Sequence, residues 1–335
     1  MEDRNLFLEA LTRQGVLISV SVRYWRARRK LLPEDLGLPR DRVDGDLISL
    51  GHKLLVPRES LRHLALIEGR ARAAVEESTF PFLNGVAHYL PNTRLAAVSD
   101  RLEALKREFE TVRDRFLAGY TDLREQALAR WREAAAGLGG DPERLVAAVG
   151  QAFPPADRIA RCFAFEIRLF QIAVPDVPAA ELVDLGTRQE LIRARREAAL
   201  AARTRIEASC REFVSDCVAA LRGETARLCE EMLETMRSGS GVHQKTLNRL
   251  KAFIDRFAEL NFADDTEMAE RLRAVREEFL LRTAAEYRED RPAADRLAAG
   301  LAALRRQAVE LAREDASGLV ANFGRMGRRR FSPAA

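Results

Sequence analysis

The sequence predicts a mainly α fold of long coiled-coil helices and an antiparallel helical bundle, with a small three-stranded antiparallel sheet at one end. Two long helical runs and the composition carry that expectation. From about Asn92 to Gly137 the chain has no proline and one interior glycine. Its apolar residues fall at Leu95, Val98, Leu102, Leu105, Phe109, Val112 and Phe116, in alternating steps of three and four, the seam of a coiled coil. A helix of that length would reach roughly 65–70 Å. A second run, Ala179 to Arg237, carries Ile192, Ala199, Ile206, Phe213 and Ala220 at seven-residue intervals. Hydrophobic residues make up 47% of the chain and aromatics 7%. Glycine and proline are few, which supports a packed helical core and weighs against an all-β fold.

Residues 5–14 predict a short amphipathic helix ending at Gly15. Gly15 to Trp25 then alternates, with Val16, Ile18, Val20, Val22 and Tyr24 on one side and Leu17, Ser19, Ser21, Arg23 and Trp25 on the other, as a strand does. A loop with Pro33, Gly37, Pro39 and Gly45 follows. Leu47 to Val56 is a second strand candidate, with Gly51 as a bulge. Pro57 opens a helix to about Ser78, and Phe80–Leu90 reads as aromatic and irregular. Asn92 is the expected cap of the first long helix. Its seam continues through Tyr120, Leu123, Ala127 and Trp131 as a stutter.

Asp141-Pro142 is a cap and first-turn proline that open a short helix to Phe153. Cys162 to Val174 is a third strand candidate, for which a helix is the competing reading. Ser238-Gly239-Ser240-Gly241 reads as a turn. Three helices follow, lined by Leu247, Leu250, Ile254 and Phe257, by Met268, Leu272, Val275 and Phe279 behind an Asp264-Asp265-Thr266 cap, and by Leu297, Leu301, Leu304, Ala308 and Leu311. The organisation expected is a hairpin-like and helical element over 1–91, the long helix over 92–140, a short helix and third strand over 141–177, a long helix and bundle over 178–323, and a basic flexible tail over 324–335.

The formal net charge is +4, and Arg325, Arg328, Arg329 and Arg330 in the tail account for it, so the body is balanced. Cations are nearly all arginine. That usage fits phosphate recognition, because guanidinium forks onto phosphate; it also fits an arginine-rich coding bias, and acids are interleaved almost everywhere. The four cysteines, Cys162, Cys210, Cys217 and Cys229, form no CxxC and suit a reduced, cytoplasmic protein. Cys210 and Cys217 fall on the seam of the second long helix, as small hydrophobes. No signal peptide or membrane-spanning run is expected.

His52, His63, His88 and His243 have neither HxxH nor HExxH spacing, and no nucleotide-binding GxxxxGK[ST] loop occurs. No catalytic residue, metal or cofactor is therefore expected. Two basic clusters remain. Arg23, Arg26, Arg28, Arg29 and Lys30 interleave with Tyr24 and Trp25, a composition that can grip nucleic acid by charge and stacking. Alternatively Trp25 packs inward and the arginines pair with Glu34, Asp35 and Asp41. The tail arginines are the second cluster, read as a solvated end, a nucleic-acid contact or a docking peptide.

The run Leu17-Ile18-Ser19-Val20-Ser21, then Trp25, Arg28-Arg29-Lys30-Leu31 and Pro33-Glu34-Asp35-Leu36-Gly37-Leu38, resembles an uncharacterised bacterial and phage family, a domain of unknown function. Leu50-Gly51-His52-Lys53 with Leu54 and Val56, and the Phe163–Val174 segment, extend the likeness over about residues 10–175. The genes of that family accompany MoxR- or CobS-like AAA+ ATPases and proteins with a von Willebrand factor A domain. The resemblance implies those two partners and no catalytic residue. The chain is thus expected to be a non-enzymatic helical scaffold or adaptor, able to form homo-oligomers, in a phage, plasmid or defence setting. A nucleic-acid-binding protein and a helical pore-former are the alternatives.

Overall fold

Helix α1 (Asp3–Gln14) ends where Gly15 begins strand β1 (Gly15–Arg23). No other residue fits at Gly15: a Cβ there would lie 2.6 Å from both the Leu90 carbonyl oxygen and the Tyr89 ring. The computed structural model describes residues 3–36, 38–39, 43–44, 46–82, 85–137, 141–173, 186–313, 316 and 318–323. After β1 come β2 (Arg28–Lys30) and β3 (His52–Leu54). Helix α2 (Arg62–Glu76) is entered through a 3-10 turn at Arg58–Leu61. Next are β4 (Phe80–Phe82), β5 (Ala87–Pro91), α3 (Asn92–Ala118), α4 (Tyr120–Ala136), α5 (Pro142–Ala152), α6 (Ala156–Ile159) and β6 (Ala164–Phe170). Helix α7 (Gly186–Thr235) is followed by α8 (Gln244–Leu260), α9 (Thr266–Phe279), α10 (Ala284–Glu289) and α11 (Arg291–Arg313). No helix of the described residues is long and apolar enough to cross a membrane.

The mainly α class with a small antiparallel sheet holds, but the strands assemble differently from the expectation. One sheet has the order β4-β5-β1-β6, so it holds four strands rather than three. The second candidate strand contributes only His52–Leu54 and pairs with β2 as a separate two-stranded ladder. Its place in the main sheet goes to the aromatic segment expected to be irregular. There β4 and β5 form an antiparallel hairpin, with Gly85 at φ 83° in the turn, a conformation glycine adopts without steric cost. The first long helix is interrupted at Gly119, which separates α3 from α4. Asn92 lies inside the first turn of α3 rather than before it, and its side-chain amide donates to the Arg13 carbonyl. The expected turn at residues 238–241 begins as a π-helical turn, Met236–Ser240, which ends at Gly241 with φ 68°.

The chain folds into two compact units, each drawn from separated stretches. The first comprises Met1–Ile18, Ser78–Ala96 and Leu169–Ala335. Its core joins the lower part of α7 to α8, α9 and α11 and to an aromatic cluster. In that cluster Tyr89 lies 4.8 Å from Phe262 and 5.4 Å from Phe213, and Phe7 lies 5.4 Å from Phe323, centroid to centroid. The Tyr89 hydroxyl donates to the Leu11 carbonyl at 2.8 Å, which satisfies the one polar atom of a fully buried ring. Asp265 caps α9, as its sequence predicts, by accepting from the Met268 N–H. The same carboxylate takes the Arg222 Nε–H of α7 at 2.7 Å, and the Arg222 guanidinium also donates to the Leu311 carbonyl of α11 at 2.6 Å. Arg222 and Asp265 are 5% and 2% exposed, so this pair lies inside the bundle.

Burial along α7 does not follow the register through Phe213 and Ala220. Phe213 is buried, but Ala199 and Ile206 are half-buried and Ala220 is exposed. Seven-residue spacing reappears one position on, at the buried Glu207, Val214, Leu221 and Leu228. Cys210, Cys217, Val218 and Cys229 widen that stripe, because α1, α8 and α11 all pack against α7. Ile192 lies where side chains are outside the described residues.

The second unit comprises Ser19–Glu77 and Ala97–Arg168. The α3 seam is buried at Val98, Leu102, Leu105 and Phe109 and half-buried at Val112 and Phe116. Its rings meet those of β6 and the turn before it: Phe109 lies 5.8 Å from Phe165, and Phe116 lies 5.4 Å from Phe163. Helices α4 and α5 form a hairpin, and Asp141 caps α5 through the Glu143 and Arg144 N–H groups at 3.0 and 3.1 Å.

Removing one partner of the buried pair strands the other charge. Arg222→Met is expected to cost about 3–5 kcal/mol in denaturant unfolding. Arg222→Met with Asp265→Asn should recover part of that loss, since the uncompensated carboxylate is gone. Strictly additive effects would show that the pair is not coupled.

Candidate anion-binding site

The chain leaves β1 through Tyr24, Trp25, Arg26 and Ala27, and these four residues separate two surroundings. Trp25 packs among rings, 5.6 Å from Phe153, 5.9 Å from Tyr120 and 6.3 Å from Phe116. Arg26 lies over the Tyr24 ring at 4.0 Å, and its guanidinium grips both oxygens of Glu68 on α2 at 2.8 Å each. The Tyr24 hydroxyl accepts from Arg26 and donates to Glu68 at 3.3 Å. Ala27 then turns at φ 50°, uncommon for a residue with a Cβ. Its carbonyl accepts from Leu55 N–H at 2.8 Å, and Leu31 N–H donates to the Gly51 carbonyl at 3.0 Å. These bonds bracket the β2–β3 ladder, in which Arg28, Arg29 and Lys30 face Leu54, Lys53 and His52.

All three cations of β2 are exposed. Among the described residues, no carboxylate lies within ion-pair distance of any of them. Lys53 differs: it pairs with Asp35 at 2.6 Å, and both side chains are more than nine-tenths buried.

Arg28 and Arg26 line a hollow of about 380 Å³ with Arg58, Arg62 and Tyr24. Its apolar wall includes Val56, Pro57 and Leu61, and no carboxylate lines it. Arg58 and Arg62 reach it from the 3-10 turn and first turn of α2, four residues apart and so on one side. That turn opens after Pro57 with no side-chain cap. A second hollow of about 520 Å³ lies between residues 54–57 and α4; Trp131 crosses it to donate to the Leu54 carbonyl at 3.1 Å.

The structure therefore divides the first basic cluster. Arg23 pairs with Glu166 of β6 at 2.6 Å. Arg26 pairs with Glu68, Trp25 is occupied by rings, and Arg28, Arg29 and Lys30 stay open. Neither Glu34 nor Asp35 takes an arginine among the described residues, and Asp41 lies outside them. Arg325, Arg328, Arg329 and Arg330 also lie outside the described residues. Arg58 and Arg62 carry no sequence signal, because they sit 28 or more residues from the cluster, in a helix start that reads as an ordinary charged surface.

The Arg26 hydrogen bond holds the Glu68 carboxyl below the usual carboxylate range. A depressed carboxylate contributes stability above its unfolded pKa and loses it as pH falls through the folded one. The Arg26–Glu68 pair thus persists to the acid side of ordinary carboxylates.

Elsewhere the chemistry-bearing residues stay apart. His52 and His63 are exposed, His243 precedes α8, and His88 shares a hydrogen bond with Thr79 at 3.2 Å. Among the described residues no three His, Cys, Asp or Glu side chains converge as a metal site. Burial pushes the Cys210 thiol up to about 11 and that of Cys229 up to about 12, and moves Cys217 in the same direction. Only Cys162 is exposed. A thiol reagent at about pH 8 should modify Cys162 quickly and the other three only on unfolding; rapid modification of a second thiol in the native protein would contradict this burial.

The family model for proteins of unknown function, DUF3150, matches residues 12–288. No curated protein and no solved structure matches the chain. The chain belongs to the DUF3150 family.

Proposed function

We propose that this member of the family is a non-enzymatic helical adaptor, working in the cytoplasm with a MoxR-like AAA+ ATPase and a protein with a von Willebrand factor A domain. The setting would be a phage, plasmid or defence system. The observation that carries the reading is the upper part of α7. From Arg193 to Arg205 no side chain is buried, although the segment is helical throughout.

Local forces suffice to hold it. Ala198, Ala199, Leu200, Ala201 and Ala202 are strong helix formers. Arg193 pairs with Glu197 at 3.1 Å and Arg203 with Glu207 at 3.2 Å, each one turn on. Leu200 is 46% exposed, and the segment holds five arginines against one glutamate. An anchored helix continuing into an uncovered, basic, partly apolar stretch fits docking into an acidic groove on another protein. The resemblance of residues 10–175 to a family encoded beside such ATPases supplies the partner's identity. Four free cysteines suit the reducing compartment.

Co-purification with the MoxR-type ATPase of the same genome, followed by mass determination, tests this. A complex of fixed stoichiometry is expected near physiological salt. Leu200→Glu should weaken it about tenfold or more, with helicity unchanged. Separate elution in the ATP-bound, ADP-bound and nucleotide-free states would overturn the proposal.

A further inference from the structure

Arg28, Arg58 and Arg62 bring three guanidinium groups to one hollow without a counter-charge among the described residues. Like charges held together repel, whereas other arginines of the same unit meet carboxylates: Arg70 meets Glu108 at 2.7 Å and Arg101 meets Glu77 at 2.9 Å. We propose that the second unit binds the phosphate backbone of a nucleic-acid strand, seating a phosphate among Arg26, Arg28, Arg58 and Arg62 and extending the contact along β2 through Lys30.

The chemistry of the hollow selects a phosphate-type anion: its guanidinium groups supply forked donors, and no carboxylate lines it. A polymer fits better than a small anion because the cations do not stop at the hollow. Arg28 and Lys30 fall on one face of the exposed strand β2, about 6.6 Å apart, a spacing along which repeating charges can lie, with Arg29 on the opposite face.

The rings set the limits of recognition. Trp25 is enclosed by Phe116, Tyr120 and Phe153, and Tyr24 lies under Arg26, so neither offers a free face for a base. Binding is therefore independent of sequence and carried by charge. Glu68 is the internal competitor: its carboxylate occupies both forks of Arg26 and has to share that guanidinium with an incoming phosphate.

The test is fluorescence anisotropy with the full chain and labelled single-stranded DNA, RNA and duplex of about 30 nucleotides, over about 50–300 mM salt. Affinity should be independent of base composition and fall with salt, with a log–log slope of about −3 on a single strand for four to five neutralised phosphates. Arg58→Glu with Arg62→Glu should lose about tenfold or more at unchanged thermal stability. Glu68→Gln should gain severalfold, an effect misfolding does not mimic, while Glu125→Gln, an exposed acid on α4, should change nothing.

Several results would overturn the proposal. These are no binding at about 50 mM salt, and binding unaffected by Arg58→Glu/Arg62→Glu but abolished by replacing Arg328, Arg329 and Arg330 with serine. Displacement of the strand by ATP or inorganic phosphate at equal phosphate concentration would assign the hollow to a small phosphate instead. Equal competition by poly-glutamate would assign it to an acidic protein.

Discussion

The bundle of the first unit depends on keeping one buried charge satisfied. Arg222 projects from α7 into a space where hydrophobic side chains would ordinarily meet, and desolvating a guanidinium is costly unless its donors are used. Asp265 and the Leu311 carbonyl use them. The consequence is geometric. The start of α9 has to lie where its capping carboxylate reaches α7, and the end of α11 has to expose a backbone oxygen at the same point. Asp264 takes φ 58° to turn the chain into that cap, and the Asn261 side chain closes the loop on both sides: its Oδ1 accepts the Asp265 N–H at 2.8 Å and its Nδ2 donates to the Asp265 backbone carbonyl at 3.2 Å. A hydrophobic residue at position 222 would pack with less penalty and would leave the register of three helices less constrained.

The same helix shows how packing and exposure divide one element. Below Glu207, α7 has neighbours on several sides, and its buried stripe is correspondingly wide. Above Arg205, alanine, the Arg193–Glu197 and Arg203–Glu207 pairs and backbone hydrogen bonds maintain the helix with no side chain fully buried. Helix stability in proteins comes mainly from burial of one face, so a long uncovered stretch has to carry strong intrinsic propensity. The composition between Ala198 and Ala202 meets that requirement.

The helices were legible in the sequence because their apolar spacing, caps and breaks are local signals. Asp141-Pro142 and Asp265 behave as their types demand. The sheet was less legible. Leu47 to Val56 alternates like a strand but pairs over only three residues, while Phe80–Leu90 holds Asn84-Gly85, a hairpin dipeptide, inside a segment whose aromatic crowding masks the alternation. Its rings are large because they fill the core beside Phe213 and Phe262, a demand invisible before the fold is known. The register read through Phe213 does not hold at Ala220, which is exposed, because the stripe that packs runs one position on, through Val214, Leu221 and Leu228, and only tertiary neighbours choose between two such adjacent registers. For the candidate site, the sequence supplied Arg26 and Arg28. Arg58 and Arg62 join them because the chain brings the start of α2 to the hollow that Arg28 and Leu54 also line, a tertiary placement that no local pattern encodes.

Arginine dominates the cations of this chain, and its placement separates two uses of one side chain. Where it spans two elements it meets a carboxylate, as Arg23 meets Glu166, Arg249 meets Glu231 and Arg282 meets Asp290. Such exposed pairs contribute little stability, but they cancel charge locally. Where several guanidinium groups are left uncancelled side by side, they set the sign of the potential around them. Net charge therefore says little here. The body of the chain balances to zero once the tail arginines are set aside, yet balance over the whole body is compatible with a concentrated positive field at one hollow. Field strength at a surface depends on which neighbours are left unpaired and on how closely the chain is forced to hold them. At this hollow the forcing is done by Trp25 anchored among its rings, by the turn at Ala27 and by the short ladder that fixes Arg28 beside the start of α2.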